Sequence, residues 1–382
     1  MALIEQIVGA VVMAVTLLDI FLTVLYARAG AGVFSPAVSR WIWLGFRDVS
    51  RLSNRDPGRF LSFCGPVILV ALIFVWAVGL ALGAALIMHP HLGSDIRASE
   101  GSTPTDFISA LYAGASSLSF VGSSDFKPHS SIFQGFYIMN SLIGTAVMSL
   151  VLTYVMQIYN ALKGRNALAL SVHALSNNTG DAAELIAGLG PRGKFDSGFS
   201  SLSSLGSQAA EVKESHHFYP LLFYFRFAEP YYSVSHGATV LLDTVSLLKS
   251  GLADREYGWL KESATVAQCW QSAMLLVGML ERVFVRGQPS QVERPTDAGD
   301  RERWRARYMA AIERMREAGI EAVVDPGTGF ETYASLRERW DGHVARLGES
   351  MLYEAKEIDE PTYRPAAASA RPSFGHRRHD VQ

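Results

Sequence analysis

The residues best suited to chemistry in this chain form one short run: Ser119, Phe120, Val121, Gly122, Ser123, Ser124 and Asp125. The run sets serine hydroxyls and the Asp125 carboxylate beside Gly122, whose lack of a Cβ frees the backbone. No hydrolase triad signature, phosphate-cradling glycine loop or nucleotide-binding fingerprint occurs, so an enzyme is not expected. Cys64 and Cys269 are too few for a disulfide framework or a thiolate metal site. Of the ten histidines, His89 and His91 flank Pro90, and His216 adjoins His217. Neither pair has metal-ligand spacing with a third ligand nearby, though His216 or His217 as a pH sensor is an alternative. No cofactor and no nucleic-acid partner are expected.

These residues need elements to position them. Residues 60–88 and 128–162 contain no Asp, Glu, Lys or Arg. Each exceeds the roughly 20 apolar residues that carry a helix across about 30 Å of hydrocarbon. Residues 2–27 read as a first spanning helix, because the leader holds Glu5 and no base and the apolar stretch continues past Asp19. A signal or interfacial segment is the competing reading. Asp19 is an intramembrane carboxylate and so a functional candidate; the structural alternative has it near the helix end or paired with Arg28 or another base. Gly79 and Gly83, four apart, permit close helix approach.

Residues 28–62 form a basic loop with Arg28, Arg40, Arg47, Arg51, Arg55 and Arg59 against Asp48 and Asp56. The segment 89–134 is acidic on balance, and Lys163 and Arg165 follow the last span. The positive-inside rule then places the N-terminus and acidic loop outside the cell membrane, and the basic loop and C-terminal region in the cytoplasm.

Within the outer loop, Ser102-Thr103-Pro104-Thr105-Asp106 predicts a helix start, and a short apolar helix over 105–118 follows, too short to span. After it comes the 119–125 run, then Lys127-Pro128, then a full span over 133–162. Irregular backbone at membrane depth is tolerated where it lines water or is buried in protein. A span, a re-entrant helix with its loop, and a second span make a pore module, 63–162.

Residues 112–128, YAGASSLSFVGSSDFKP, resemble the pore loop of the two-transmembrane-type potassium channel family, whose usual text is an aromatic, a Thr pair, Val or Leu, then Gly-Tyr-Gly-Asp. Ser119 and Phe120 align with the Thr pair, Val121 with Val, Gly122 with the first Gly, Ser123 with Tyr, Ser124 with the second Gly, and Asp125 with Asp. The resemblance covers about 60–162. The Asp19 helix, the Arg-rich loop, Glu214-Ser215-His216-His217, Tyr219-Pro220 and Tyr224-Phe225-Arg226 also look like bacterial members with an extra N-terminal helix. The resemblance implies a homotetramer in the lipid bilayer that passes a monovalent cation, K+ or Na+, with Gly144 in the last span as a gate hinge or a packing glycine.

The filter departs from the family where it matters for selectivity. Ser124 replaces a glycine, at a cost on the order of 1 kcal/mol if φ is positive. Ser123 replaces the aromatic that wedges the filter open, and Phe120 replaces a hydroxyl donor. Two readings follow: a cation channel with altered selectivity, or a non-conducting sensor or scaffold that keeps the channel fold. A transporter subunit is disfavoured, since it would need several span-loop-span repeats.

Beyond the last span the chain reads as an all-helical cytoplasmic domain, 163–360, with a disordered Pro-, Ala- and Arg-rich tail at 361–382. Helices are expected over 166–190, 209–248, 257–285, 301–319 and 333–357, with 195–206, rich in Ser and Gly, as a linker. Arg303, Arg305, Arg307, Arg314 and Arg316 read as a solvated face, with attraction to anionic lipid as the alternative. An unknown ligand or partner would bind 166–360. The fold class is an all-α membrane protein with three transmembrane helices.

Overall fold

The computed structural model describes residues 2–26, 28, 31–52, 57–119, 125–285 and 298–359. Three helical stretches are long and apolar enough to cross a membrane: Ala2–Leu25, Gly58–His91 and Ser131–Leu175. The described residues form a predominantly helical multi-span membrane protein with an extensive helical domain after the spans. The first stretch is α1 (Ala2–Ile20) continued by one π-helical turn, Phe21–Leu25.

The expected basic loop is largely helical. α2 (Ser35–Leu52) buries Ser35, Ser39, Trp43 and Ser50 and half-buries Val38, Ile42 and Phe46. That is the 3.6-residue period of an amphipathic helix, and its arginines hid it from a search for uncharged runs. α3 (Pro57–Leu61) and α4 (Cys64–Met88) follow. α1 packs along α4 through small residues: a methyl group on Gly83 would lie 2.9 Å from the Gly9 carbonyl oxygen, and one on Gly79 would lie 2.6 Å from the Thr16 hydroxyl.

A two-stranded antiparallel ribbon, unforeseen from the sequence, joins β1 (Ile96–Ala98) to β2 (Phe126–Pro128), pairing Ile96 with Pro128 and Arg97 with Lys127. Strands of three residues leave too short an alternating pattern to recognise. α5 (Phe107–Leu118) begins later than expected. Its cap is Asp106, whose carboxylate accepts from the Ser109 N–H at 3.0 Å and the Ser109 hydroxyl at 2.8 Å, which leaves Thr105 outside the helix.

α6 (Ser131–Leu175) is one helix of 45 residues. It joins the expected last span to the helix expected from 166, since neither Gly144 nor Gly164 interrupts the backbone ladder. It ends where Asn177 and Asn178 take left-handed φ values of 56° and 62°. α7 (Ala182–Leu189) leads to α8 (Asp196–Phe218). The segment read as a Ser/Gly linker is thus the first half of α8. Its glycines permit close packing: a methyl on Gly198 would overlap the Leu189 carbonyl, and one on Gly206 would lie 3.3 Å from the Cys269 backbone.

α9 (Val234–Gly251) is buried over nearly its whole length, as its alternation of small and apolar residues on every face requires. Around it pack α7, α11 (Ala264–Phe284), α13 (Pro326–Glu338) and α14 (Asp341–Ser350), with α10 (Asp254–Lys261), α12 (Ala298–Glu317) and α15 (Ala355–Ile358) completing the domain. The domain docks on the bases of α4 and α6. The Phe225 ring fills the space beside Gly65, where a methyl group would lie 2.6 Å from it, and Tyr219 meets Tyr154 of α6 at 6.2 Å between ring centroids. The tail from 361 lies outside the described residues.

Candidate functional site

The short helix α5 is wedged between α4 and α6 by contacts that admit no larger side chains. A methyl on Gly114 would lie 2.7 Å from the Ala85 amide nitrogen, and one on Gly144 would overlap the Leu118 carbonyl. Gly144 is therefore the point where α6 touches the C-terminal end of α5, and α6 runs through it unbroken. Buried Asn140 donates to the Ser117 hydroxyl at 2.8 Å, which in turn donates to the Gly114 carbonyl at 2.7 Å. These polar bonds hold the last turn of α5 against α6, with both side chains buried.

Of the seven residues singled out from the sequence, Phe120, Val121, Gly122, Ser123 and Ser124 lie outside the described residues. Ser119 caps α5 in extended conformation, exposed, its N–H donating to the Ser116 carbonyl at 3.1 Å. Asp125 is exposed, and its carbonyl accepts from the Ser99 N–H. The ribbon thus brings the far end of the run back to the level at which α6 begins.

Asp19 is fully buried, at 0% exposure. Its carboxylate accepts from the backbone N–H groups of Phe34 (2.8 Å) and Ser35 (3.2 Å), from the Ser35 hydroxyl, and from the Trp76 indole at 2.7 Å. It thereby joins α1 to the start of α2 and to the middle of α4, with the positive end of the α2 dipole facing the charge. Among the described residues no base contributes, and the pairing with Arg28 weighed from the sequence does not form. The Arg28 guanidinium lies instead over the Tyr26 ring at 4.8 Å.

Sequence reading missed a stripe on α6. Ser141, Thr145, Ser149, Thr153 and Gln157 recur every four residues, and all are exposed. Thr145 donates to the Ser141 carbonyl at 2.8 Å and Thr153 to the Ser149 carbonyl at 3.0 Å, so each keeps oxygen lone pairs outward. The four-residue spacing was the available signal; attention to uncharged length obscured it.

The histidine pair at the end of α4 ties helices together: His89 meets Glu5 at 2.6 Å and His91 meets Asp95 at 2.7 Å and Gln6 at 2.5 Å. Among the described residues no group of three His, Cys, Asp or Glu could hold a metal. His216 is wholly buried, and burial together with the neighbouring Arg165 pushes it down to about 3. It is neutral near pH 7, against a pH-sensing role there. Cys269 is buried and its thiol pushed up to about 12, which makes it unreactive.

In the C-terminal domain, Asp243 at the centre of α9 accepts from Arg307 (2.8 Å), Arg337 (3.0 Å) and the Tyr333 hydroxyl (2.6 Å). Both guanidiniums also pair with Asp359, and Arg337 reaches Asp341 at 3.1 Å. Burial alone would raise the Asp359 carboxyl, but Arg307 and Arg337 outweigh it and hold it low. Arg314 pairs with Glu184 at 2.6 Å. Two of the arginines read as a solvated face therefore turn inward, because α12 carries them at positions facing α9 and α7.

No family model matches the chain, and no solved structure matches it. A curated protein, "Uncharacterized membrane protein YdjJ" of Bacillus subtilis (strain 168), is 21% identical over 251 residues, 65% of this chain and 71% of that one.

Proposed function

We propose that four copies of this chain assemble about one axis into a cation channel of the two-transmembrane potassium-channel type, with altered selectivity. The observation that carries this reading is the position along α6 at which α5 ends. Leu118 lies against Gly144, 13 residues along α6 from Ser131, which at 1.5 Å per residue is about 20 Å. A 12-residue apolar helix, too short to span and ending about 20 Å along α6 from the start of that helix, supports a re-entrant reading. Its C-terminal carbonyls present the negative dipole end at mid-membrane, which favours a cation. Around an axis, Thr145 and Ser149 of four α6 helices would face water below the filter. The N-terminus is then outside and the C-terminal domain cytoplasmic.

Reconstituted protein is expected to pass K+ or Na+ in a vesicle flux assay, with Thr145→Val changing the rate or the ion preference. An intact tetramer that passes neither ion at any pH or voltage rejects the channel. A second reading, a non-conducting sensor or scaffold working through residues 166–360, is favoured by the domain's clamp on α4 and α6 and by the serines at 123 and 124. Under it, Ser123→Tyr with Ser124→Gly creates conductance that the wild type lacks.

A further inference from the structure

Where α6 meets the C-terminal domain, a cavity of about 30 Å³ is lined by Arg165, His216, Phe225, Ser235 and Tyr353, among others. It has room for roughly two waters or an oxyanion of comparable bulk. Two lining groups are incompletely bonded. Arg165, 4% exposed, donates from its two terminal nitrogens to the Leu222 and Phe225 carbonyls, both at 2.8 Å, while its Nε–H is buried without an acceptor. Among the described residues no carboxylate pairs with it; the Phe227 ring, 5.4 Å from the guanidinium carbon, is its remaining contact of note. His216 has Nδ1 at 2.8 Å from the Val212 carbonyl. A carbonyl only accepts, so Nδ1 carries the proton and Nε2 is a bare lone pair. Nε2 is also buried without a partner.

Two of the residues that line the cavity thus each lack a partner, an acceptor for the Nε–H of Arg165 and a donor for the Nε2 of His216. Chloride and nitrate accept only, and water satisfies both groups but leaves the cation unbalanced. We propose that this cavity binds a small monovalent oxyanion bearing its own hydroxyl group, with hydrogencarbonate as the simplest of that class. Its anionic oxygen accepts from Arg165 and its hydroxyl donates to His216. Burial keeps the imidazole an acceptor at neutral pH. The inference is independent of whether the chain conducts, because the site is read by stability alone.

The test is thermal unfolding of the full chain in detergent, at fixed neutral pH and ionic strength, with sodium hydrogencarbonate, nitrate or chloride. Hydrogencarbonate at roughly 50 mM is expected to raise Tm by about 2 °C, and nitrate and chloride by less than half as much. His216→Leu is expected to make hydrogencarbonate and nitrate equivalent. Equal shifts with the two anions in the wild type overturn the proposal, as does no shift with any anion, which leaves the cavity to water. A hydrogencarbonate preference that survives His216→Leu also overturns it, by placing the ligand elsewhere. The wild-type comparison decides even if the variant does not fold.

Discussion

Asp19 in the first spanning helix and Asp243 in the central helix of the C-terminal domain are both 0% exposed, yet they are held in opposite ways. Asp19 has four neutral donors, two of them at a helix N-terminus, and no cation among the described residues. Asp243 has two guanidiniums and a phenol, and further carboxylates balance the arginines. The difference follows from the surroundings. In a membrane, bringing an arginine inward adds a second desolvation cost, while backbone N–H groups at a helix start must be satisfied anyway. In the domain, Arg307 keeps 16% of its side chain exposed, and Arg337, 1% exposed, is offset by three carboxylates.

Breaking the two sites should separate these designs. Asp243→Ala strips a partner from two arginines at once and is expected to cost about 3–5 kcal/mol, the largest loss, measured by denaturant unfolding of the domain tryptophans. Asp19→Ala leaves four donors unsatisfied and should cost about 3 kcal/mol, with α2 released and newly open to protease. Asp19→Asn should recover more of that loss than Asp243→Asn does of its own, since the neutral donors at Asp19 need an acceptor more than a charge.

His216 stands between the two cases, buried in the domain but held by a neutral carbonyl. Its value of about 3 lies below the ordinary 6.5, so below pH 6.5 the unfolded chain takes up a proton that the folded chain refuses. Its contribution is complete above 6.5 and falls with pH, reaching a loss of about 2 kcal/mol near pH 5. His216→Leu should flatten that slope in a series of melts. Gly144→Ala sharpens the membrane side by shape alone: overlap with Leu118 should cost about 2 kcal/mol and lower any flux. The smallest stability effect is expected for Thr145→Val with Ser149→Ala, within about 0.5 kcal/mol, so a change in flux there reports the ion path and not the fold.

Much of this was legible in the sequence. The spans announced themselves by uncharged length, and α5 by its length and acidic start. The buried arginines were not legible, because charge patterning along α12 cannot say which turns face a neighbour. Ser and Gly in 195–206 suggested a linker, since the same small residues serve a loop and a tight helix crossing. Asp19 was visible as an intramembrane acid, but its donors come from Phe34, Ser35 and Trp76, contacts set by tertiary packing. The Arg165–His216 cavity depends on an atom-level deficit that no residue pattern encodes.

The unbroken α6 has a mechanical consequence. A 45-residue helix is a shaft of about 68 Å. Leu118 keys its upper part at Gly144, and the carbonyls of Leu222 and Phe225 clamp it lower down at Arg165. One residue added between these points turns the lower clamp by about 100°, whereas seven return it to within about 20° of phase, displaced along the axis by about 10 Å. The angular phase between membrane and domain is therefore quantised by the helical repeat, and torque applied at either end has no soft joint in which to dissipate.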